Sequence, residues 1–282
     1  MQPYLHLQAL HGNARKEGPA SGMSELLHYE DRGSGPCVIF LHPTPVDHSF
    51  WRPAAALLET DYRVLLPDLP GHGLSPLSDG TASMETMGQA VLRLLDMLSI
   101  ESAIFCGCSI GGYLLYELWR QAPERMRALA FCSAKPHADT PETRMAREAT
   151  IAGIEQRGTG PFFDTMLDTL VGAPAKERDP DMVYRLCAMM ERMSAESAIA
   201  VQRALAARPD SRATAATIRV PTAVLAASLD RGSSPTEMRE LANVVPGSTF
   251  YLLQEMGHYA PYEQPRLVGA LLRRFVDENT AH

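Results

Sequence analysis

The chain has 282 residues, 45% hydrophobic and 21% charged, with a formal net charge of −7 and a pI near 5.7. That length allows one large α/β domain with a substantial core, and the composition is that of a globular protein. The acidic balance offers no basic face for phosphates, which argues against nucleic acid or an anionic membrane as partner, and no apolar run approaches the ~20 residues of a membrane span.

Residues 1–22 lack a basic n-region, and His6, Gln8 and His11 interrupt their apolar residues, so they read as a loosely ordered leader and not as a secretion signal. Met23–Gly33 has the pattern of an edge hairpin. Pro36–Leu41 is a continuous apolar run, as expected of a strand buried on both faces, and His42-Pro43-Thr44-Pro45 follows it. Helical periodicity over Phe50–Leu58 leads to a second buried strand, Tyr62–Pro67, and to the turn-rich loop DLPGHGLS. Ser83–Leu98 is an amphipathic helix, and Ala103–Cys106 a third buried strand. The segment Gly107-Cys108-Ser109-Ile110-Gly111 comes next, then a helix to Ala122 and a strand Arg127–Cys132.

From Ala134 to Thr217 the alternation stops. Four helix-like stretches, about Pro141–Arg157, Gly160–Val171, Pro180–Met193 and Ala195–Ala207, have no convincing strand between them. They read as an inserted helical cap over 134–217, interrupting a core made of 23–133 and 218–282. The methionines of this segment, Met166, Met182, Met189, Met190 and Met193, pack the cap or line an apolar ceiling over a pocket. Met189 and Met193 are the candidates for substrate contact. Strands resume at Pro221–Ala226 and Thr249–Leu253, each followed by a helix, Pro235–Val245 and Gln264–Asp277. Strands alternating with helices imply right-handed crossovers and a mainly parallel sheet flanked by helices. In such sheets ligands gather at the carboxyl ends of the strands, where His42, Asp68, Ser109 and Ser133 all fall.

G-x-S-x-G between a strand and a helix is the setting of a nucleophile elbow. A serine at the tip of so sharp a turn is conformationally strained, and its neighbours two residues away must lack bulk. The helix start behind Ser109 favours developing negative charge. A serine hydroxyl is a weak nucleophile at neutral pH and needs a base held by an acid, in the chain order serine, acid, histidine. Asp230, after the strand that follows the cap, and His258, after the last strand, have those places. Asp139 competes for the role of acid, because it also follows a strand. The developing oxyanion needs two N–H donors. Ile110, next to the serine, is one. Thr44 is the other, since Pro43 and Pro45 on either side of it have no N–H. His48, just past that loop, is a further candidate for substrate contact, with a helix-start or surface role as its alternative.

The segments LHPTP, DLPGHGLS, GCSIGG, PTAVLAASLD and EMGHYAPYEQP, from about residue 24 to the C-terminus, resemble the α/β-hydrolase superfamily. Within it, CSIGGYLLYELWRQAPERMRALAFCSA, the ARPDS segment and the helical cap look most like the 3-oxoadipate enol-lactonase-like esterases and lactonases. The resemblance implies an eight-stranded type of sheet, Ser109 as nucleophile, Asp230 as acid, His258 as base, and Thr44 and Ile110 as oxyanion donors. Two positions depart from the pattern: Pro43 stands where the superfamily has glycine after the histidine, and Ala227 stands where the acid motif begins with glycine.

Serine at the elbow favours acyl transfer on an ester or lactone, with a small to medium, partly apolar molecule as substrate and no cofactor or metal. The same groups also suit carbon–carbon or thioester hydrolysis or a cyclisation. A cofactor-free oxygenase or lyase and a non-catalytic ligand receptor are further alternatives on this fold. Five cysteines (Cys37, Cys106, Cys108, Cys132, Cys187) without regular or metal-ligand spacing fit a reduced cytoplasmic protein. Homo-oligomerisation stays open.

Overall fold

The computed structural model describes residues 26–77 and 81–280, so the expected leader over 1–22 lies outside the described residues. In chain order, β1 (Tyr29–Arg32) and β2 (Cys37–Leu41) precede a 3₁₀ turn, His48–Phe50, and the short helix α1 (Arg52–Ala55). β3 (Arg63–Pro67), α2 (Met84–Met97), β4 (Ala103–Cys108), α3 (Ile110–Gln121) and β5 (Met126–Cys132) follow. The sheet is completed after a long helical segment by β6 (Thr222–Ala227), α10 (Pro235–Val244), β7 (Thr249–Leu253), α11 (Ala260–Glu263) and α12 (Pro265–Thr280).

The helical segment between β5 and β6 comprises α4 (Pro141–Arg157), α5 (Gly160–Leu170), α6 (Ala173–Arg178), α7 (Asp181–Met190), α8 (Ala195–Ala207) and α9 (Arg212–Ala215). Four of these match the expected stretches; α6 and α9 are too short for an amphipathic period to show in sequence. α4 packs on α8 and α5, and α5 on α7.

Among the described residues the sheet has seven strands in the order β1-β3-β2-β4-β5-β6-β7, where the eight-stranded type was expected. β1 runs antiparallel to β3, and every other pairing is parallel. The expected edge hairpin over 23–33 is, within the described residues, this single strand. Tyr29–Arg32 pairs across to Val64–Pro67 and not with its own neighbours in sequence. β4 lies between β2 and β5, and all six of its residues are buried, which explains its unbroken apolar run.

Register aligns the strand ends. Leu41 faces Gly107, Cys108 faces Cys132, and Ala227 faces Leu253. The residues that follow these pairs therefore emerge along one carboxyl edge. Helices flank the sheet, with α2 against α3 and α1 against α12. α2 and α10 each begin with a capping box, Ser83 with Thr86 and Ser234 with Glu237, which satisfies their first free N–H groups. Among the described residues no helix is long and apolar enough to cross a membrane.

Candidate active site

The turn from β4 into α3 is steep. Ser109 has φ 52° and ψ −116°, a region unfavourable for a side chain with a Cβ, at a cost of about 1–3 kcal/mol. It is held there by its own N–H donating to the Cys132 carbonyl (3.0 Å) and by its carbonyl accepting from Tyr113 N–H (2.8 Å). A Cβ at Gly107 would strike the backbone of Gly111, and one at Gly111 would strike the Leu41 carbonyl, so both flanking positions demand glycine. The serine Oγ has no hydrogen-bond partner among the described residues.

His258 follows β7 in a loop laid against this elbow. Its carbonyl accepts the Cys108 thiol at 3.7 Å, one residue before Ser109. Its Nδ1 lies 2.8 and 2.9 Å from the two oxygens of Asp230. Asp230 Oδ1 also accepts the N–H groups of Gly232 (2.7 Å) and Ser233 (3.0 Å). Burial works against the charge of Asp230, but His258 and the Ser233 N–H outweigh it and hold the carboxyl below its usual range. An ionised Asp230 fixes the proton on Nδ1 and leaves Nε2 as an acceptor. Asp139, the other candidate acid, is instead engaged by Arg208 at 2.8 Å and by Arg147.

The loop after β2 is tied down on three sides. Leu69 N–H donates to His42 Nε2 (2.9 Å), so Nδ1 carries the proton and donates to the Pro43 carbonyl at 2.8 Å; burial lowers the pKa of His42 and keeps it neutral. Thr44 Oγ1 pairs with His72 Nε2 at 2.9 Å, and the Thr44 carbonyl accepts the Tyr259 hydroxyl, also at 2.9 Å. The last bond joins this loop to the residue after His258. Thr44 and Ile110 are both buried, Thr44 in this loop and Ile110 at the start of α3 beside Ser109.

The other two kinds of candidate fall elsewhere. His48 does not face a substrate space. Its Nδ1 is 2.7 Å from Asp68 Oδ1, and its Nε2 is 3.0 Å from Arg52 and 3.6 Å from Glu30, so both ring nitrogens are spent in a buried ionic cluster beside β1. Met189 and Met193 are buried in the continuous apolar core. His28, His48 and Asp68 are near enough to suggest a metal centre, but they contact one another directly. Asp68 is further occupied by the N–H groups of His48 and Leu74, and the set is complete as a hydrogen-bonded network. A groove of about 420 Å³ beside Asp230 is lined by residues of α5, α6 and the Ser228–Arg231 turn, and its lining includes neither Ser109 nor His258.

Sequence reasoning missed Glu263 and Tyr259, which brace the His258 loop. The available signal was an acidic residue in the otherwise uncharged stretch GHYAPYEQP.

A mainly parallel sheet with a strained serine after its central strand and an Asp–His pair on loops along the same edge defines the class. The chain belongs to the α/β-hydrolase fold family, whose model matches residues 36–265. It is 28% identical to 3-oxoadipate enol-lactonase 2 of Acinetobacter baylyi, over 88% of this chain and 94% of that protein. Among solved structures it is similar to a thermophilic esterase from Thermogutta terrifontis, with a TM-score of 0.87, 27% identity and coverage of 94% and 99% of the two chains. It is also similar to the enol-lactonase from Burkholderia xenovorans, with a TM-score of 0.83 at 27% identity over 89% and 96%.

Proposed function

We propose that the protein is a serine hydrolase that opens a carboxylic ester or lactone through an acyl-serine intermediate. The observation that carries this reading is the His258–Asp230 pair at 2.8–2.9 Å, on a loop packed against the strained elbow of Ser109. Ser109 Oγ attacks the carbonyl carbon while His258 Nε2 takes its proton. Asp230 stabilises the imidazolium, and the oxyanion sits against the N–H groups of Thr44 and Ile110. The tetrahedral species collapses as His258 returns the proton to the leaving oxygen. Water, deprotonated by the same nitrogen, then attacks the acyl-serine and frees the acid and Ser109. With a lactone the leaving oxygen stays on the acyl chain, so one ring-opened product leaves at the end.

The helices between β5 and β6 act as a cap over the strand ends, with Met189 and Met193 giving its inner face apolar character. The likeness to an esterase and to enol-lactonases supports a small ester or lactone as substrate. All five cysteines are free thiols, which supports a reducing cytoplasmic setting.

Hydrolysis of a panel of short-chain esters and lactones, followed with the wild type and Ser109→Ala, tests the proposal. Turnover is expected for the wild type and a loss of about 10³-fold or more in the variant, with its melting temperature retained. A folded Ser109→Ala protein that hydrolyses at the wild-type rate overturns it.

A further inference from the structure

Glu263 is a buried carboxylate at the end of α11, and no lysine or arginine pairs with it among the described residues. Its two oxygens are taken by backbone. Oε2 accepts the N–H of Gly257, the residue before His258, at 2.8 Å. Oε1 accepts the N–H of Gly172, just past the end of α5, at 3.2 Å. Beside them, His258 N–H donates to the Leu170 carbonyl at 2.8 Å. Three hydrogen bonds thus gather the end of α5 and the histidine loop, two of them through one carboxylate. Both glycines are required by contact. A Cβ on Gly172 would press on the Glu263 carboxylate, and one on Gly257 would meet the Gly172 N and the Leu170 carbonyl.

We infer that Glu263 is a positioning residue for His258, binding the histidine loop to the end of α5 so that the cap and the general base are held as one body. This rests on the reading of His258 as the base. The chemistry requires a carboxylate. Two converging N–H donors need two acceptors, and a glutamine would offer one oxygen and turn an NH₂ against the second donor. Burial opposes the charge of Glu263 and raises its pKa despite the N–H groups of Gly257 and Gly172. An opening motion of the cap at α5 would carry the imidazole off line.

The test compares Glu263→Gln and Glu263→Asp with the wild type on one p-nitrophenyl ester that the wild type turns over. kcat and KM are measured together with thermal unfolding and hydrogen exchange of residues 160–173 and 254–260. Glu263→Gln is expected to lower kcat about 10- to 100-fold with KM within about two-fold, because misplacement of a catalytic group acts on the transition state. Exchange should quicken in the two segments together, with the melting temperature near that of the wild type. Glu263→Asp, one methylene short of both donors, should not restore kcat. Unchanged kcat in Glu263→Gln, or restoration by Asp, overturns the inference. So does a fall in kcat accompanied by faster exchange throughout the chain, which would make Glu263 a general structural residue. Failure of the hydrolase reading looks different: no ester or lactone is turned over by the wild type, while paired exchange in the two segments still reports the brace.

Discussion

Asp230 and Asp139 each follow a parallel strand of the same sheet, and their partners separate their chemistry. Asp230 faces His258 Nδ1 and two backbone N–H groups, whereas Asp139 is buried against Arg208 and Arg147. Asp230→Asn should lower kcat by about 10³–10⁴-fold, because an amide in that position no longer enforces the tautomer with a free Nε2. Asp139→Asn should leave kcat within about three-fold and lower the melting temperature, since breaking a buried ion pair from one side costs on the order of 3–5 kcal/mol. Steady-state kinetics beside thermal unfolding checks both, and the opposite pattern would move the acid to Asp139. Chain order and placement after a strand pointed to Ser109, Asp230 and His258 in the sequence, with Asp139 as the competing acid. Which carboxylate meets the ring depends on a loop far along the chain, and in the structure it is Asp230.

The elements decide how the site is held. β4 and α3 meet at a turn that admits only glycine two positions before and two after Ser109, a local steric demand that leaves its mark in five consecutive residues. The helical segment leaves a weaker mark. Met145 on α4 and Tyr184 on α7 are exposed, while Met182, Met189, Met190 and Met193 are buried. Met189→Ala and Met193→Ala should each lose about 2–5 kcal/mol of stability through the cavity left behind. If the segment serves as the proposed cap, preference among acyl chain lengths should also broaden. Thermal unfolding run beside an ester series of increasing chain length reads both effects. An unchanged melting temperature would contradict the packing role, and unchanged selectivity would contradict the cap's part in choosing substrate.

At the scale of the molecule, an ionic cluster sits at the edge of the sheet, and a neighbouring ion pair reaches the helical segment. Asp68 receives His28 and His48, Glu30 receives Arg52 and lies beside His48, and Asp47 reaches Arg192 just past α7. Burial alone would lower the pKa of His48, but its hydrogen bonds to Asp68 and Glu30 raise it to about 9. For Asp68 and Glu30 burial opposes the charge, and the histidines together with Arg52 hold both carboxyls well below their usual range. The two kinds of shift act at opposite ends of the pH scale. A histidine with a raised pKa contributes stability that is complete below its unfolded value of about 6.5 and is lost as pH climbs through the folded value. Carboxylates with depressed values contribute above about 4 and lose it as pH falls further. Melting temperature should therefore be highest from mildly acidic to neutral pH and decline toward pH about 10 as His48 gives up its proton. In His48→Gln the alkaline decline should be shallower, since the residue that loses its charge is gone; an identical slope in the variant would show that other groups govern it.

Short-range physics wrote itself into the sequence. Strands buried on both faces need unbroken apolar runs, and Cys37–Leu41, Ala103–Cys108 and Thr222–Ala227 have them. The elbow needs small residues at fixed offsets from Ser109, and those offsets can be read without a structure. Pairing across distance left no such trace. β1 could have folded on its own neighbours, but it joins β3. His48 could have faced a substrate, but it is consumed by Asp68 and Glu30. Glu263 looks in sequence like an ordinary surface acid, yet it bridges Gly257 and Gly172, the latter 91 positions away. A carboxylate or an imidazole carries the same letter whatever it meets. Its role is set by the donors and acceptors that folding brings within about 3 Å, and only the tertiary structure decides which those are.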